Sequence, residues 1–419
     1  MFGLVDGNNF YVSCERALNP GLAGRPVAVL SNNDGCCVSM SNEFKALGIP
    51  RGTPYFQLKD RESRRKGDGG IVFLSSNYEL YGDMSARIVS ILRQEALSVE
   101  QYSIDEAFIV PPSPASSLRE YGIALRKKLL RWTSIPCGVG FAKTKTLAKI
   151  ANHIGKKLPD GVFVLPDDPT EILAKLPVGE VWGVGRRLPA KLRAERIHTA
   201  KDLRDAPDDV VRSVGGVTLL RTAAELRGLP CNRERDYEAD PDSVSCSRSF
   251  GEPVTTQAAL AESVASFIAQ AAVKLRRHGL LASGCNVYAQ YGSALAGSYT
   301  ERTVVFPAPT DATNEMLSAV SEEIGALFLP GERYRKSGIV FFGLEKAGAM
   351  RQLDLFSETR AHEKSKLYET VDALNRRFGR KCLVSASEGL RERPPLWRMR
   401  RDKLSGVSTT DWHKLPKAH

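Results

Sequence analysis

The segment EQYSIDEAFIV, residues 100–110, places the strongest constraint on how this chain can fold. Two adjacent acids, Asp105 and Glu106, interrupt residues that otherwise have the apolar and β-branched character of strands. Neighbouring residues of a regular strand point to opposite faces of a sheet, so two adjacent carboxylates cannot serve one site from a strand interior. The sequence therefore predicts a hairpin turn at this pair, with Ile104 and Phe108 anchoring the strands beneath it.

A third acid, Asp6, ends the first predicted strand, FGLVD. A single acid at a strand end is most often solvated and idle. If Asp6 lies on a strand beside the hairpin, however, three hard oxygen ligands meet, and such a set suits Mg²⁺ together with water and substrate phosphates. Two such ions, about 3.5–4 Å apart, support in-line phosphoryl transfer.

The domain organisation follows from length and local pattern. A chain of 419 residues predicts roughly three domains, because a single hydrophobic core rarely grows so large. Strands and helices alternate as far as residue 165, which is typical of an α/β or α+β layer. Short helices are predicted from there to residue 231, and the polar composition of residues 232–243 predicts a linker. Residues 244–345 have the β-α-β-β-α-β order of a ferredoxin-like module.

The charge balance indicates the class of partner. Lys and Arg number 59 against 48 Asp and Glu, so the net charge of +11 favours a nucleic acid or an acidic membrane surface. The absence of a long apolar run and of an N-terminal signal pattern makes us expect a cytoplasmic protein without membrane attachment. The eight cysteines have no zinc-ligand spacing and are expected to be buried free thiols.

Three motifs resemble those of the Y-family translesion DNA polymerases: VDGNNFYVSCE, SIDEAF and GVGFAKTKTLAKIANHIGKKLPDG. The segments LSNNDGC, SSNYELYGDMS, VWGVGRR and CSRSFG extend the resemblance over nearly the whole chain. It implies a multidomain α+β protein with the shape of a right hand. The implied domains are a palm (1–25 and 71–165), fingers (26–70), a helix-hairpin-helix thumb (166–231), a linker (232–243), a βαββαβ little finger (244–345) and a tail (346–419).

The resemblance assigns the chemistry of the three acids. Asp6, Asp105 and Glu106 are implied to be catalytic and, with Gly7, to hold two Mg²⁺ ions while a deoxynucleotide is added to a primer 3′-hydroxyl. The family often has a second acid after the first, and here Asn8 stands in its place. Because that acid is not a metal ligand, catalysis is expected to survive the change.

The incoming nucleotide is expected to contact the first helix and the fingers. Phe10 and Tyr11 could both be packed core aromatics, but the resemblance makes Tyr11 the steric gate against ribonucleotides and Phe10 its packing neighbour. The full set of implied nucleotide-binding residues is Phe10, Tyr11, Cys36, Val38, Ser39, Lys45 and Lys156. The family commonly has Tyr and Arg where Asn42 and Lys45 stand, and Lys offers a point charge where Arg offers a fork.

A basic helical face supplies the last of these nucleotide contacts. Lys145, Lys149, Asn152 and Lys156 recur at spacings that put them on one side of a helix. A solvated basic face is the ordinary explanation for such a pattern. The resemblance instead makes Lys156 the triphosphate contact, with Lys157 a close second.

DNA contacts are expected in two places. The first is the segment LPVGEVWGVGRRLPAKL, whose pattern predicts a helix-hairpin-helix. A Gly-x-Gly turn alone is more often a plain turn than a phosphate site. The position after the palm favours a phosphate site at a helix N-terminus. The residues implied to contact DNA are Gly183, Gly185, Arg186, Arg187 and Lys191, with Ser247 and Arg248 in CSRSFG.

The tail carries two signals of partner binding. RQLDLF, with Gln352, Leu353, Leu355 and Phe356, resembles the sliding-clamp peptide of bacterial polymerases. The apolar stripe of a helix at residues 362–378 either docks back on the body or, as the resemblance implies, faces a UmuD-type dimer and RecA.

Two other functional classes use some of the same features. A Mg²⁺-dependent nuclease would need the three acids, but it does not explain Tyr11, the Lys156 face or the clamp peptide. A catalytically silent DNA-binding scaffold would keep the basic segments while its acids decayed, and all three acids are intact. We therefore expect an error-prone translesion polymerase of an SOS-type DNA damage response.

Overall fold

The computed structural model describes residues 1–63, 69–112, 117–232, 240–292, 297–347, 361–379, 382–389, 394–406 and 408–409. The chain forms two compact units. The first contains Met1–Arg235 with Lys403–His419, and the second contains Asp236–Asp402. The division falls inside the segment 232–243 whose composition predicts a linker.

The first unit alternates strands and helices before ending in helices alone. Its elements are β1 (Phe2–Gly7), α1 (Phe10–Leu18), β2 (Val27–Leu30), β3 (Cys37–Met40), α2 (Asn42–Lys45), β4 (Val72–Ser75), α3 (Tyr78–Glu95), β5 (Ser98–Gln101), β6 (Glu106–Val110), α4 (Leu118–Thr133), β7 (Cys137–Ala142), α5 (Lys145–Gly155), β8 (Val162–Val164), α6 (Thr170–Lys175), α7 (Leu188–Ala194), α8 (Ala200–Asp205) and α9 (Asp208–Leu226).

A five-stranded sheet with the order β5-β6-β1-β7-β8 organises this unit. Strand β1 lies in its centre and pairs antiparallel with both β6 and β7. Because adjacent strand residues point to opposite faces, Leu4 packs with α5 on one side while Val5 packs with α3 and α4 on the other. The sheet is thus covered on both faces, which explains why all six residues of β7 are buried.

A second, three-stranded sheet has the order β3-β2-β4. Strand β2 is buried at every residue and pairs antiparallel with β3 and parallel with β4. Strand β4 begins at Val72, beyond the predicted end of the fingers at residue 70, and its pairing nevertheless joins it to this sheet. Helices α1 and α3 pack beside β2 through Val12 and Leu80.

The second unit consists of β9 (Val244–Val254), α10 (Gln257–Arg277), β10 (Leu280–Tyr291), β11 (Ser298–Thr310), α11 (Thr313–Ser321), α12 (Ile324–Leu327), β12 (Tyr334–Lys346) and α13 (Ala361–Arg377). Its sheet has the order β11-β10-β12-β9, and every pairing is antiparallel. The predicted β-α-β-β-α-β order is confirmed. Strand β12 lies between β9 and β10, and β10 lies between β11 and β12. Each βαβ unit is therefore split by a strand of the other, as in a split βαβ module.

Helix α10 is the core helix of this second unit. In the described part of the chain it is the one helix long and apolar enough to meet the length and composition of a membrane span. More than half of its apolar window is buried, and Leu260, Phe267 and Leu275 pack in the core. The alanine and leucine content of α10 is therefore explained by packing within a domain.

Part of the tail docks on the second unit. Asp372 of α13 forms an ion pair with Arg276 of α10 at 2.8 Å, and Trp397 packs edge-on against Phe267 at 5.7 Å between ring centroids. The predicted helix in the tail is confirmed, but Leu367 and Phe378 of its expected apolar stripe are exposed. Its described contacts with the body are mainly polar.

Candidate active site

The acid pair lies at a hairpin turn, as the sequence predicts. Strands β5 and β6 pair antiparallel, and the backbone N–H groups of Tyr102 and Ser103 each donate to the Glu106 carbonyl at 3.0 Å. The Ser103 hydroxyl accepts from the N–H of Asp105 and of Glu106, and it donates to Asp105 Oδ1 at 2.6 Å. Asp105 therefore belongs to the turn, and Glu106 is the first residue of β6.

Asp6 lies beside this hairpin. It is the register partner of Glu106 across the antiparallel β1–β6 pair, and Gly7 donates its N–H to the Asp105 carbonyl at 2.8 Å. Directly opposed antiparallel residues have Cα atoms about 4.5–5.5 Å apart. The backbone thus brings all three acids to one end of the central sheet.

The three acidic side chains nevertheless turn to separate partners. Asp6 Oδ2 lies 2.6 Å from Lys156 Nζ, and Glu106 Oε1 lies 2.8 Å from Lys149 Nζ. Across the residues that the structure describes, no group of three or more His, Cys, Asp or Glu side chains is arranged to hold a metal ion. The backbone therefore brings the three predicted metal ligands together, but their side chains do not converge on one point in this structure.

Close packing of α5 against β7 brings the lysines to these acids. A Cβ at Gly140 would lie 2.0 Å from the backbone nitrogen of Asn152, and one at Gly138 would lie 2.8 Å from Lys156 Cγ. Only glycine permits this approach. The Asn152 side chain then donates to the Leu4 carbonyl of β1 at 3.2 Å, which fixes the end of the helix beside Asp6.

This packing divides the predicted basic helical face into two pairs of residues. Lys145 is 2% exposed and pairs with buried Glu100, and Asn152 is 3% exposed. These two residues are turned towards the sheet rather than towards solvent. Of the four residues of this face, Lys149 and Lys156 reach the acids, while Lys145 and Asn152 anchor the helix.

The Asp6 carboxyl is buried among charges of both signs. Burial raises the pKa of this carboxyl to about 6, the Lys156 ammonium lowers it, and the carboxylates of Glu106 and Asp105 raise it to a smaller extent. Carboxylate oxygens are ligands that a divalent cation prefers, so the three acids are the residues that would hold one.

Lys149 is held by aromatic rings that the sequence analysis did not assign to the site. Its Nζ lies 4.5 Å from the ring centroid of Tyr102 and 5.3 Å from that of Trp182. Trp182 Nε1 donates to the Tyr102 hydroxyl at 3.2 Å. Cation–π contacts of this type stabilise a partly buried ammonium, so the partner of Glu106 has a fixed position.

The proposed gate residue lies on a stack of tyrosines. Tyr11 is half-buried and stacks on Tyr81, with ring centroids 4.3 Å apart and an interplanar angle of 14°, while Tyr78 meets Tyr11 edge-on at 6.2 Å. Phe10 is 3% exposed and packs in the core. Its side chain therefore supports the packing role and not direct contact with a nucleotide.

The predicted fingers residues lie near the N-terminus of α1. Lys45 Nζ donates to Asn9 Oδ1 at 2.6 Å, and Asn9 Nδ2 donates to Asn42 Oδ1 at 3.0 Å. Burial lowers the pKa of Lys45, and the charges of Lys156 and Arg51 lower it further. Lys45 and Lys156 are thus close enough to repel each other. Arg51 was missed by the sequence analysis, because no helical or strand period places it there.

The other predicted contact residues lie at β3, around α7 and on β9. Ser39 Oγ accepts from the Val12 N–H at 3.4 Å, and Cys36 and Val38 are half-buried beside it. Of the predicted thumb residues, Gly183, Gly185, Arg186 and Arg187 are exposed around the turn that precedes α7, and Lys191 is exposed within α7. Ser247 and Arg248 lie on β9 of the second unit, where Arg248 is exposed. The predicted clamp residues Gln352, Leu353, Leu355 and Phe356 lie outside the described residues.

Solved structures share this fold. A Y-family DNA polymerase chimera of Dbh and Dpo4 has a TM-score of 0.65 at 18% identity, covering 83% of this chain and all of its own. The insertion ternary complex of Dbh DNA polymerase has a TM-score of 0.55 at 19% identity, with the same coverage. The chain therefore has the fold of a Y-family DNA polymerase.

Sequence relatives narrow the class further. Residues 5–153 match the impB/mucB/samB family, residues 241–355 match its C-terminal domain, and residues 365–418 match a domain of unknown function. UmuC of Salmonella typhimurium is 39% identical over 99% of both chains, and DNA polymerase IV 1 of Bacillus subtilis is 29% identical over 90% of this chain and 91% of its own. The chain belongs to the impB/mucB/samB family. The resemblance of the sequence motifs to those of Y-family DNA polymerases is confirmed, and the relatives narrow it to the UmuC type.

The Asp6–Lys156 pair leads to a testable titration. Lys156→Met removes the cation that favours ionised Asp6, so we expect the Asp6 pKa to rise from about 6, by roughly 1–3 units. Carboxyl ¹³C NMR of labelled protein in magnesium-free buffer measures this midpoint. Lys157→Met, at the exposed neighbouring residue, is the matched control and should leave the midpoint unchanged. Equal midpoints in the wild type and Lys156→Met would contradict the pairing.

Proposed function

We propose that this chain is an error-prone translesion DNA-directed DNA polymerase that extends a primer 3′-hydroxyl past damaged template bases in an SOS-type DNA damage response. The observation that carries the proposal is that acidic and basic side chains lie close together at one end of the central sheet. Asp6, Asp105 and Glu106 supply the acids, and Lys45 and Lys156 supply cations beside them. An acidic set for metal and a basic set for phosphates are what nucleotidyl transfer requires.

The acids and the carbonyl of Gly7 would hold two Mg²⁺ ions. Bound there, the ions supply Lewis-acid activation of the attacking hydroxyl and charge neutralisation of the leaving pyrophosphate. The chain's own part is to present the carboxylates on a rigid hairpin, because Ser103 fixes the Asp105 side chain and the turn. Lys149 and Lys156 balance the negative charge of Glu106 and Asp6.

The nucleotide would lie at the N-terminus of α1, beside the three-stranded sheet. Lys45 and Lys156 bind its triphosphate, and their mutual repulsion is relieved when the anion arrives. Ser39 lies close to the same helix start, and Cys36 and Val38 face the nascent base pair. Tyr11 then lies under the sugar, where a 2′-hydroxyl clashes with its ring. This ring is held by Tyr81 from behind.

DNA would be held through its backbone. The exposed turn before α7, with Arg186 and Arg187, and Arg248 on β9 present charge to phosphates. Phosphate contacts position a duplex without reading its sequence, which suits a polymerase. In this proposal the five-stranded sheet and β4 belong to the palm, β2 and β3 to the fingers, α6–α9 to the thumb and residues 244–345 to the little finger.

The rival functions are less well supported. A Mg²⁺-dependent nuclease uses the same acids, but it has no use for the stacking of half-buried Tyr11 on Tyr81. A silent scaffold has no need for a hairpin whose turn is fixed by three Ser103 hydrogen bonds around the acid pair. Both therefore leave described features unexplained.

Replacing either hairpin acid provides the direct test of polymerase activity. In Asp105→Ala or Glu106→Ala protein we expect primer extension to fall by on the order of 10³-fold or more, because each change removes a carboxylate ligand. Binding to primer–template DNA should persist, since the phosphate contacts lie elsewhere. Gel-based extension and fluorescence anisotropy measure the two properties.

Asp83→Ala is the matched control for this pair of variants. Asp83 is an acid of the same unit that forms an i,i+4 ion pair with Arg87 on the surface of α3, and its loss should leave extension near the wild-type rate. The assignment fails if both hairpin variants still extend primers.

The gate makes a separate prediction about sugar selection. Tyr11→Ala opens space under the sugar, so the preference for deoxyribonucleotides over ribonucleotides should fall by roughly tenfold or more. Tyr11→Phe keeps the ring and should retain the preference. Single-nucleotide insertion kinetics give the ratio of kcat/KM for the two sugars. Unchanged selection in Tyr11→Ala would remove Tyr11 from the gate.

The partners form a further part of the proposal. Gln352, Leu353, Leu355 and Phe356 would bind the sliding clamp, and the tail would bind a UmuD-type dimer and RecA, all in the cytoplasm. We expect extension across an abasic site to increase when the dimer and activated RecA are added, and the clamp to increase it further unless Leu355 and Phe356 are both replaced by Ala. Equal extension with and without these proteins would argue against them as partners.

A further inference from the structure

The side chain of Glu225 connects three parts of the first unit. It lies near the end of α9, is 0% exposed and accepts hydrogen bonds on both carboxyl oxygens. Oε2 accepts from the N–H of Thr146 at 2.8 Å and from its hydroxyl at 2.7 Å. Oε1 accepts from the N–H of Cys231 at 3.1 Å and from that of Asn232 at 2.8 Å. One carboxyl group thus joins α9, the start of α5 and the start of the linker segment.

The first turn of α5 is the part of this helix that needs such a partner. The first N–H groups of a helix have no acceptor within it, and the helix dipole favours a negative charge at that end. Thr144 caps α5 by accepting the Leu147 N–H at 3.3 Å, and its hydroxyl donates to the Glu225 carbonyl at 2.9 Å. Lys145 adds an anchor to Glu100 through its side chain. The backbone of the turn is therefore held by Glu225.

Burial makes the hydrogen bonds of Glu225 difficult to replace. Glu225, Thr144 and Thr146 are all 0% exposed, so water does not reach the carboxyl group. A buried carboxylate is stable only when it is paired or hydrogen-bonded, and a buried group that loses its partner is costly. The two chain segments that donate to Glu225 are therefore fixed relative to it.

The two ends of α5 depend on different contacts. Its later turns pack closely on β7. Its first turn is held by Glu225, and Lys149 follows Thr146 by less than one helical turn. Lys149 Nζ lies 2.8 Å from Glu106 Oε1. A shift of the first turn would therefore displace Lys149 more than Lys156, which follows the end of the helix.

We propose that Glu225 is a positioning residue for nucleotidyl transfer, which holds Lys149 at Glu106 through the first turn of α5. The inference rests on the proposed function, because it gives Glu225 a task in that reaction. Since Cys231 and Asn232 share the same carboxyl group, the linker to the second unit begins at a point tied to α5. Glu225 itself is buried and acts only through the segments that it holds.

The direct test is Glu225→Gln in the full-length chain. The NH₂ group of glutamine replaces one acceptor oxygen and faces N–H donors, so either the first turn of α5 or the start of the linker loses its acceptor. We expect kcat for single-nucleotide insertion to fall roughly 3- to 30-fold. The KM for the deoxynucleotide should stay near the wild-type value, because Lys45 and Lys156 are held by other contacts.

Asp202→Asn is the matched control. Asp202 is an acid on α8 whose Oδ2 accepts the N–H of His198 at 3.0 Å and that of Thr199 at 2.9 Å. The control thus makes the same chemical change at another carboxylate that accepts backbone N–H groups near a helix start. Its hydrogen bonds close the capping box of α8, so kcat should stay near the wild-type value.

A milder pair of variants applies if Glu225→Gln protein does not fold. Thr146→Val removes one donor hydroxyl and keeps the backbone N–H, so kcat should fall by a smaller factor, roughly two- to fivefold. Thr146→Ser retains the hydroxyl and should retain kcat. Equal rates in Thr146→Val and wild-type protein would overturn the positioning role.

Lys149→Met tests the route by which Glu225 acts. This variant should itself lower kcat, since Glu106 loses the ammonium that balances it. If Glu225 acts through Lys149, Glu225→Gln should lower kcat no further in Lys149→Met protein. If the two effects multiply, or if Lys149→Met changes nothing, the positioning role is overturned.

Amide hydrogen exchange tests the hold of Glu225 without any reaction. Glu225→Gln should speed exchange at Thr146 or at Cys231 and Asn232 by about tenfold or more, and Asp202→Asn should not. Unchanged exchange at all three amides overturns the proposal whatever the activity. If Asp105→Ala and Glu106→Ala proteins still extend primers, the proposed function fails and the role of Glu225 in it fails too, whereas the exchange rates still show whether the carboxyl group holds the turn.

Discussion

The packing of helix α5 onto glycine residues of β7 is the constraint on which the candidate site depends. With any side chain at Gly140 the helix would have to move outward, since the added atom would lie 2.0 Å from the Asn152 nitrogen. Lys149 and Lys156 would then be carried away from Glu106 and Asp6. The geometry of the charges at the end of the sheet is therefore fixed by the shape of a buried backbone interface rather than by the charges themselves.

The lysines that pair with these acids explain how three carboxyl groups can lie close together before any ligand binds. Three clustered acids without partners would repel each other. The pKa of Asp6 is raised mainly by burial and to a smaller extent by the carboxylates of Glu106 and Asp105. Lysines at one helix balance two of the acids, and in the proposed function they would change partners when cations or phosphates arrive. Such an exchange keeps each charge compensated, whereas removing one partner of a buried ion pair is strongly destabilising.

Local patterns in the sequence predicted the elements that depend on local physics. The hairpin at Asp105 and Glu106 follows from strand geometry, and the βαββαβ order of the second unit follows from hydrophobic periods. Periodicity also grouped Lys145 and Lys149 on one helical face, but it could not tell which way that face points. That direction is set by the absence of a side chain at Gly140, on another element. The hydrogen bond from the Lys403 N–H to Ser75 Oγ joins residues 328 positions apart, and no local pattern in the sequence predicts it.

The aromatic residues around Lys149 have a consequence for observing this molecule. Trp182, one of four tryptophans in the chain, lies 5.3 Å from the ammonium that pairs with Glu106 and is hydrogen-bonded to Tyr102 in the acid hairpin. Indole emission is sensitive to nearby charge and to hydrogen bonding at its nitrogen. The fluorescence of Trp182 should therefore report on any rearrangement of charge around Glu106, because such a rearrangement changes the electric field at the indole ring.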